Sequence, residues 1–175
     1  LTRVARRAGS TPFFAYDRRL LDQRIDQLRR HLPARLSLGY AVKANPMPAV
    51  VQHVASRVDA LDVASAGEMK VALDTGMAAD RVSFAGPGKT DAELEEALAA
   101  GIVLNLESEG EMERLAAIAS RRGAKAHVNV RVNPDFELKS SGMKMGGGPK
   151  PFGVDAERVP AMLKRIGELA LEFHG

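Results

Sequence analysis

The sequence predicts an α/β fold, a partial (β/α)₈ or TIM barrel, on three observations. Strand-like apolar runs alternate with helical segments at a short period of about 22 residues, which is typical of parallel β/α units. The spacing is even and carries no glycine-rich dinucleotide fingerprint, which favours a barrel over an open sheet. A complete barrel requires about 250 residues, whereas the chain has 175. We therefore expect an incomplete barrel from the N-terminal part of a longer protein.

The first 33 residues are predicted to precede the barrel. Residues 11–16 (TPFFAY) form a short β-prone run. The apolar residues after it recur at helical spacing and give one apolar stripe: Leu21, Ile25, Leu28 and Leu32. We expect residues 1–33 to contain a strand and a helix that lead into the barrel, and residues 34–175 to form the incomplete barrel itself.

Five barrel strands are predicted within residues 34–175, and they lie at residues 36–42, 60–64, 82–85, 102–106 and 125–132. The helix after the first strand is expected to begin at Asn45 and Pro46, because proline suits the first turn of a helix. A helix over residues 155–166 is expected to precede a sixth strand near Leu169. Three helix starts carry a capping box that satisfies free backbone amides: Ser65 to Glu68, Thr90 to Glu93, and Ser108 to Glu111.

Composition and charge exclude several classes of protein. The chain is 45% hydrophobic and 27% charged, as in globular proteins. Its net charge is +3, but basic and acidic residues are interspersed, so no nucleic-acid partner is indicated. No apolar run approaches the roughly 20 residues of a membrane span. The chain has no cysteine for disulfides or a thiolate metal site, and we predict no metal ligands. A soluble, cytoplasmic protein is expected.

Reactive groups of a (β/α)₈ barrel lie at the C-terminal ends of its strands. This rule places six residues around one mouth: Lys43, Asp62, Ser65, Gly86, Arg131 and Asn133. Lys43 follows the apolar strand residues and is expected to point into a partly desolvated cavity, which favours the neutral amine that attacks a carbonyl. On spacing alone, a lysine that reaches solvent from the strand end is the alternative.

Four segments together resemble the fold-type III pyridoxal-phosphate-dependent decarboxylases, the group of diaminopimelate, ornithine and arginine decarboxylases. These segments are YAVKANP at residues 40–46, DVASAGE at 62–68, RVNP at 131–134 and Phe-Gly at 152–153. Their order and spacing agree with the family over residues 11–175. Each segment alone is a weak signal, whereas the combination is specific. The resemblance implies an alanine-racemase-like N-terminal barrel that lacks here its later strands and a C-terminal β domain.

The resemblance also implies a chemistry and a set of site residues. Lys43 is the residue that forms a Schiff base with pyridoxal 5'-phosphate, and the bound cofactor accepts the electrons of the breaking bond from Cα to the carboxylate. Asp62 is similar to the family's acidic residue near that lysine. Arg131 resembles an arginine that lines the cofactor face, or else it forms an ion pair that braces the barrel. Ser65 and Glu68 occupy cofactor-side positions, although helix capping explains both equally well.

Partners and substrate follow from the same resemblance. The full-length protein is expected to be a homodimer with active sites shared across the interface. The substrate is an amino acid, and a free diamino acid, a basic amino acid and one carried on an acyl-carrier protein all stay open. Residues 135–150 are longer than a usual β/α loop and are expected to form a lid. Residues 141–153 (SGMKMGGGPKPFG) most resemble, within the family, the exosortase-associated and acyl-carrier-linked branch. Three lysines of the expected lid could meet a phosphorylated carrier, or be solvated: Lys139, Lys144 and Lys150.

Three other functions agree with part of the sequence. A pyridoxal-phosphate-dependent racemase shares the barrel and the lysine, but Asn45 and Pro46 argue against it. A non-catalytic pyridoxal-phosphate-binding barrel does not need the predicted strand and helix ahead of the barrel. An aldolase-type barrel could use Lys43 on a sugar phosphate, but it does not predict the other matched segments. His174 is expected to be structural. The family residues that hold the phosphate and the pyridine nitrogen lie beyond residue 175, so these 175 residues alone are expected to be inactive.

Overall fold

The computed structural model describes residues 2–134 and 150–175, in two compact units, Leu1–Ser37 and Leu38–Gly175. The first unit contains helices α1 (Thr2–Ala8) and α2 (Arg18–His31). Helix α2 begins where the Asp17 carboxylate accepts a hydrogen bond from the Arg19 amide at 2.9 Å. The strand predicted over residues 11–16 is wrong, because this segment pairs with no strand of the described residues and an isolated strand leaves its backbone groups without partners.

The second unit is built on a parallel sheet. Its strands are β1 (Gly39–Ala41), β2 (Ala60–Val63), β3 (Val82–Phe84), β4 (Val103–Leu106), β5 (Ala126–Val130), β6 (Val132–Asn133), β7 (Val154–Asp155) and β8 (Leu171–Phe173). Strands β1 to β5 and then β8 lie side by side in chain order, all parallel, while β6 and β7 form a separate pair. Sequential parallel strands separated by helices confirm the predicted partial (β/α)₈ barrel.

Among the described residues, five α-helices connect these strands: α3 (Pro48–Ala55), α4 (Ala66–Leu73), α5 (Asp91–Ala100), α6 (Glu109–Arg122) and α7 (Val159–Ile166). The three predicted caps are confirmed, since Ser65, Thr90 and Ser108 each accept a hydrogen bond from the amide three residues later. Of these three, the complete reciprocal box forms between Thr90 and Glu93. At α6 the Glu111 carboxylate binds a buried lysine instead of completing the box.

Side chains on each strand alternate between two faces of the sheet. Leu61 and Val63 of β2 are buried in the core beneath the helices, whereas Asp62 between them lies on the opposite face. That opposite face is polar. Ser83 donates to the Asp62 carboxylate at 2.8 Å, and two strands further on, the side-chain amides of Asn129 and Asn105 are joined at 3.0 Å.

Several element boundaries differ from those predicted. The first strand ends at Ala41, and a single 3₁₀ turn over Val42–Ala44 follows it. Helix α3 begins at Pro48 and not at Asn45, because the Asn45 side chain accepts a hydrogen bond from the Met47 amide at 3.1 Å and forms a turn there. The last helix and the last strand also begin later than predicted, at Val159 and Leu171. Among the described residues, no helix is long and apolar enough to cross a membrane.

Candidate active site

A cavity of about 320 Å³ opens where the carboxyl ends of the first strands meet. Three of the four predicted site residues line it: Lys43, Asp62 and Arg131. Ser65, the fourth, is not one of the described residues that line the cavity, and its hydroxyl caps α4. Asn133, which the sequence placed at the same mouth, lies in β6 and donates to the Asp155 carboxylate at 2.8 Å.

Lys43 lies on the 3₁₀ turn that follows β1. The Tyr40 hydroxyl donates to the Asn45 carbonyl at 3.1 Å and thereby bridges the two ends of this turn. The partly desolvated surroundings predicted for Lys43 are not found in the described structure, where the residue is exposed. The exposure of Lys43 has a local cause. Strand β1 ends two residues before Lys43, so the side chain extends from a turn and not from within the sheet.

Glu107, which directly follows β4, joins three loops around the cavity. Its side chain is fully buried and accepts hydrogen bonds from the Gly86 amide at 2.8 Å and the Gly153 amide at 2.9 Å. It also forms an ion pair with Arg131 at 3.0 Å. A buried carboxylate with charged and backbone donors on both oxygens is strongly held. Glu107 therefore fixes Arg131 and two loops in one arrangement.

Arg131 is held from two sides. Its guanidinium pairs with Glu107 and lies 4.9 Å from the ring centre of Phe152, within the range of a cation–π contact. Gly153 allows this close approach, because its φ is +78° and a Cβ there would lie 2.8 Å from the Arg131 carbonyl oxygen. Arg131 thus forms an ion pair that braces the site and also lines the cavity. Its contact with a cofactor stays a prediction.

Lys89 and Glu111 form a buried ion pair at the cavity wall. Each side chain is 1% exposed, and Lys89 Nζ lies 2.8 Å from Glu111 Oε1. The same amine donates to the carbonyls of Gly86 at 2.7 Å and Asn105 at 2.8 Å. Burial raises the pKa of the Glu111 carboxyl, and Lys89 opposes that shift. The pair ties the loop after β3 to β4 and α6.

Glu93 extends the same wall to α4. Its carboxylate accepts hydrogen bonds from the Thr90 amide at 3.0 Å and from the Ala66 amide at 3.1 Å. The bond from Thr90 is the main cause that lowers the pKa of Glu93, and partial burial works against it. One carboxylate therefore caps α5 and also holds the start of α4.

The sequence patterns did not identify three residues of this site: Glu107, Lys89 and Glu111. For Glu107 the signal was present, because it is the first polar residue after an apolar strand, the same position that drew attention to Lys43. Lys89 stands in the Gly-Pro-Gly-Lys segment after β3 and carried a weaker signal. Glu111 was explained as part of a capping box, which hid its pairing with a residue 22 positions away.

Comparisons with known proteins agree on one family. Residues 18–175 match the family described as pyridoxal-dependent decarboxylase, pyridoxal binding domain. The L-glutamyl-[BtrI acyl-carrier protein] decarboxylase of Niallia circulans is 32% identical over 160 residues, which are 91% of this chain and 37% of that protein. The diaminopimelate decarboxylase of Campylobacter jejuni is 37% identical over 151 residues, or 85% of this chain and 38% of that protein.

A solved structure supports the same conclusion. The diaminopimelate decarboxylase of Helicobacter pylori, complexed with L-lysine, superposes with a TM-score of 0.85 at 32% identity. The match covers 94% of this chain and 44% of that chain. The 175 residues thus span well under half the length of the relatives they match. The resemblance read from the motifs is confirmed: the chain belongs to the pyridoxal-dependent decarboxylase family, and residues 18–175 match its pyridoxal-binding domain.

Proposed function

We propose that the protein, at its full natural length, decarboxylates an amino acid with pyridoxal 5'-phosphate as cofactor and Lys43 as the residue that binds it covalently. One observation carries the proposal: Lys43, Asp62 and Arg131 line a single cavity in a chain that matches the pyridoxal-binding domain. The cavity of about 320 Å³ lies in the range of small-molecule and cofactor sites.

The residues present fit the chemistry of this cofactor. Lys43 has an exposed amine, and within the described residues that amine has no hydrogen bond or ion pair. Arg131 supplies a cation for an anionic oxygen, and its Glu107 partner keeps the guanidinium in place. Asp62 supplies a carboxylate that is oriented by a hydrogen bond from Ser83. A negative charge at this position favours the protonated form of a nitrogen that lies next to it in the cavity. When bound, pyridoxal phosphate accepts the electron pair released as the Cα–carboxylate bond breaks.

The proposal includes Ser65 at its predicted position on the cofactor side. The support for this role is indirect and comes from the contacts that Ser65 and Glu68 make beside the cavity. Its hydroxyl accepts the Glu68 amide at 3.2 Å and starts α4. The Glu68 carboxylate in turn accepts the Ala64 amide at 2.9 Å, and Ala64 does line the cavity. Ser65 therefore acts by fixing the backbone between β2 and α4.

The experiment is an absorbance spectrum of the full-length protein with pyridoxal phosphate, before and after borohydride reduction. A visible band that reduction converts to a stable adduct is expected in the wild type and absent in Lys43→Ala. Lys125→Ala is the matched control, because Lys125 is also an exposed lysine but precedes β5 at the other end of the sheet. A full-length protein that gives no band contradicts the cofactor assignment and favours the aldolase-type alternative.

The substrate is proposed only as an amino acid, and two forms of it are supported. The diaminopimelate decarboxylases of Campylobacter jejuni and Vibrio cholerae are 37% and 33% identical to this chain. The relative from Niallia circulans, whose printed name gives a glutamyl group on an acyl-carrier protein, is 32% identical over 91% of this chain. Carbon dioxide release from free diaminopimelate, ornithine and arginine, compared with a glutamyl carrier protein, separates the two. Hydrogen exchange at Cα without carbon dioxide release would identify a racemase instead.

The homodimer is proposed on family resemblance alone. Sedimentation of the full-length protein with bound cofactor is expected to give twice the chain mass. A monomer that is fully active would contradict the shared active site. Of the residues assigned to a lid over the site, those at 135–149 lie outside the described residues, and Lys150 is half-buried.

A further inference from the structure

Three side chains with metal-binding atoms converge on the polar face of the sheet, between its last two strands. His127 lies on β5, Glu172 lies on β8, and His174 directly follows β8. In the parallel pairing of these strands His127 is aligned with Glu172, and Ala126 is aligned with Leu171. Ala126 and Leu171 are buried in the core. Because strand side chains alternate, the three residues share the face opposite the helices.

The distances between their ligand atoms suit a single ion. His127 Nδ1 lies 3.0 Å from His174 Nε2. The Glu172 carboxylate has one oxygen 3.8 Å from His127 Nδ1 and the other 3.8 Å from His174 Nε2. An ion about 2.0–2.1 Å from each atom, the usual zinc distance to nitrogen, requires ligand atoms about 3.3 Å apart. The measured distances lie on either side of that value.

The donor set selects the class of metal. Two imidazole nitrogens and one carboxylate oxygen suit zinc and its neighbours in the first transition row, whereas magnesium and calcium prefer oxygen ligands alone. The two histidine rings meet edge to face, with centres 5.0 Å apart and an interplanar angle of 74°. Two ring nitrogens 3.0 Å apart either share one proton in a hydrogen bond or both direct lone pairs at a cation.

We propose that His127, Glu172 and His174 bind one divalent transition-metal ion of the zinc type, which cross-links β5 and β8. Three protein ligands leave a fourth position for water. Binding to the folded state alone stabilises that state, so the ion strengthens the pairing of these strands. The proposal does not rest on the decarboxylase function, because none of the three residues is among the described residues that line the Lys43 cavity.

The test is zinc titration of the chelator-treated, full-length protein by calorimetry, with thermal unfolding measured in parallel. One zinc per chain and a higher melting temperature are expected. Cobalt(II), used as a spectroscopic probe in place of zinc, is expected to give the visible bands of a tetrahedral site. His127→Ala and His174→Ala are each expected to weaken zinc binding by at least about tenfold, since even the loss of an outer-shell partner has an effect of that size.

Two controls make the result decisive. His31→Ala changes an exposed histidine outside the trio and is expected to bind zinc like the wild type. Glu172→Gln keeps the size of the side chain but removes its charge, and intermediate weakening is expected. No zinc binding by the wild type overturns the proposal, as does binding of unchanged affinity in folded His127→Ala and His174→Ala. The titration of the wild-type protein alone can overturn the proposal. The test therefore remains valid even where a variant does not fold.

Discussion

Lys43 and Lys89 line the same cavity, but the structure holds their amines in opposite ways. Lys43 is exposed on the turn after β1. Lys89 is buried, and its amine donates to the carbonyls of Gly86 and Asn105 and to the Glu111 carboxylate. An ammonium group has three donors, so every donor of Lys89 is used.

This difference shows what separates a reactive lysine from a structural one at a barrel mouth. A lysine attacks a carbonyl through the lone pair of its neutral amine. The amine of Lys89 is buried and donates to the Glu111 carboxylate and two carbonyls, whereas within the described residues the amine of Lys43 has no such partners. Lys89 therefore stabilises the wall of the cavity, whereas Lys43 is the lysine that we propose to bind the cofactor.

The largest effect is expected from Lys43→Arg, which keeps the positive charge and removes the amine that can be deprotonated. If Lys43 acts as a nucleophile, arginine cannot replace it, and carbon dioxide release should fall at least about 10³-fold, as when other enzymes lose a covalent nucleophile. The assay compares the rates of both proteins, with circular dichroism to show that the variant is folded. An arginine variant with more than a tenth of wild-type activity would show that only the charge matters.

The next largest effect is expected from Lys89→Met, on stability. Removing one partner of a buried ion pair leaves Glu111 uncompensated, and about 3–5 kcal/mol of unfolding free energy should be lost. Urea unfolding measures it. The double variant Lys89→Met with Glu111→Leu should recover most of the loss, because apolar side chains replace both charges. If Lys89→Met alone lost less than about 1 kcal/mol of unfolding free energy, the buried pair of Lys89 and Glu111 would not be what stabilises the cavity wall.

Glu107→Gln should lower the unfolding free energy by about 2–3 kcal/mol and weaken pyridoxal-phosphate binding. The neutral amide of the variant leaves the Arg131 charge unpaired. Its NH₂ group, itself a donor, faces the donors that Glu107 accepts from, which include Arg131 and the Gly153 amide. The matched control is Glu113→Gln, which removes a carboxylate from an exposed pair with Arg165 and should change stability far less, because solvent screens an exposed pair. Equal effects of the two substitutions would show that Glu107 does not hold the site.

The smallest effect is expected from Glu93→Gln, and it should depend on pH. The pKa of Glu93 is lowered in the folded protein, so its charge stabilises the fold above the unfolded-state value of 4.5. That contribution is lost as the pH falls through the lower folded-state pKa. Urea unfolding at about pH 7 should show a deficit of about 1 kcal/mol in the variant, and this deficit should shrink as the pH falls below 4.5. A deficit that does not change with pH would assign the effect to shape and not to charge.

Local patterns predicted most of the fold. The apolar period gave the order of barrel strands, and Ser65, Thr90 and Ser108 marked three helix starts because capping depends on neighbours within three residues. The strand predicted over residues 11–16 failed for the opposite reason. A strand is stable only with a partner, and local β propensity does not supply one.

The site shows the same limit. Reactive groups of a barrel lie at the C-terminal ends of its strands, and this rule correctly predicted that Lys43, Asp62 and Arg131 lie around one cavity. The rule works here because it depends on the topology alone. The same rule could not predict that the Glu111 carboxylate binds Lys89 instead of completing the capping box. That contact depends on burial and on a residue 22 positions away. His127 and His174 are 47 residues apart, and their meeting follows only from the register of β5 and β8.

We propose that Lys43, and not Lys89, holds the cofactor. The most direct measurement is borohydride reduction of the full-length protein with pyridoxal phosphate, followed by proteolysis and mass spectrometry of the labelled peptides. We expect a pyridoxyl group on the peptide that contains Lys43, with Lys89 unlabelled because its amine is buried and paired with Glu111. A label on Lys89, or no label on any lysine of the wild-type protein, would contradict this proposal.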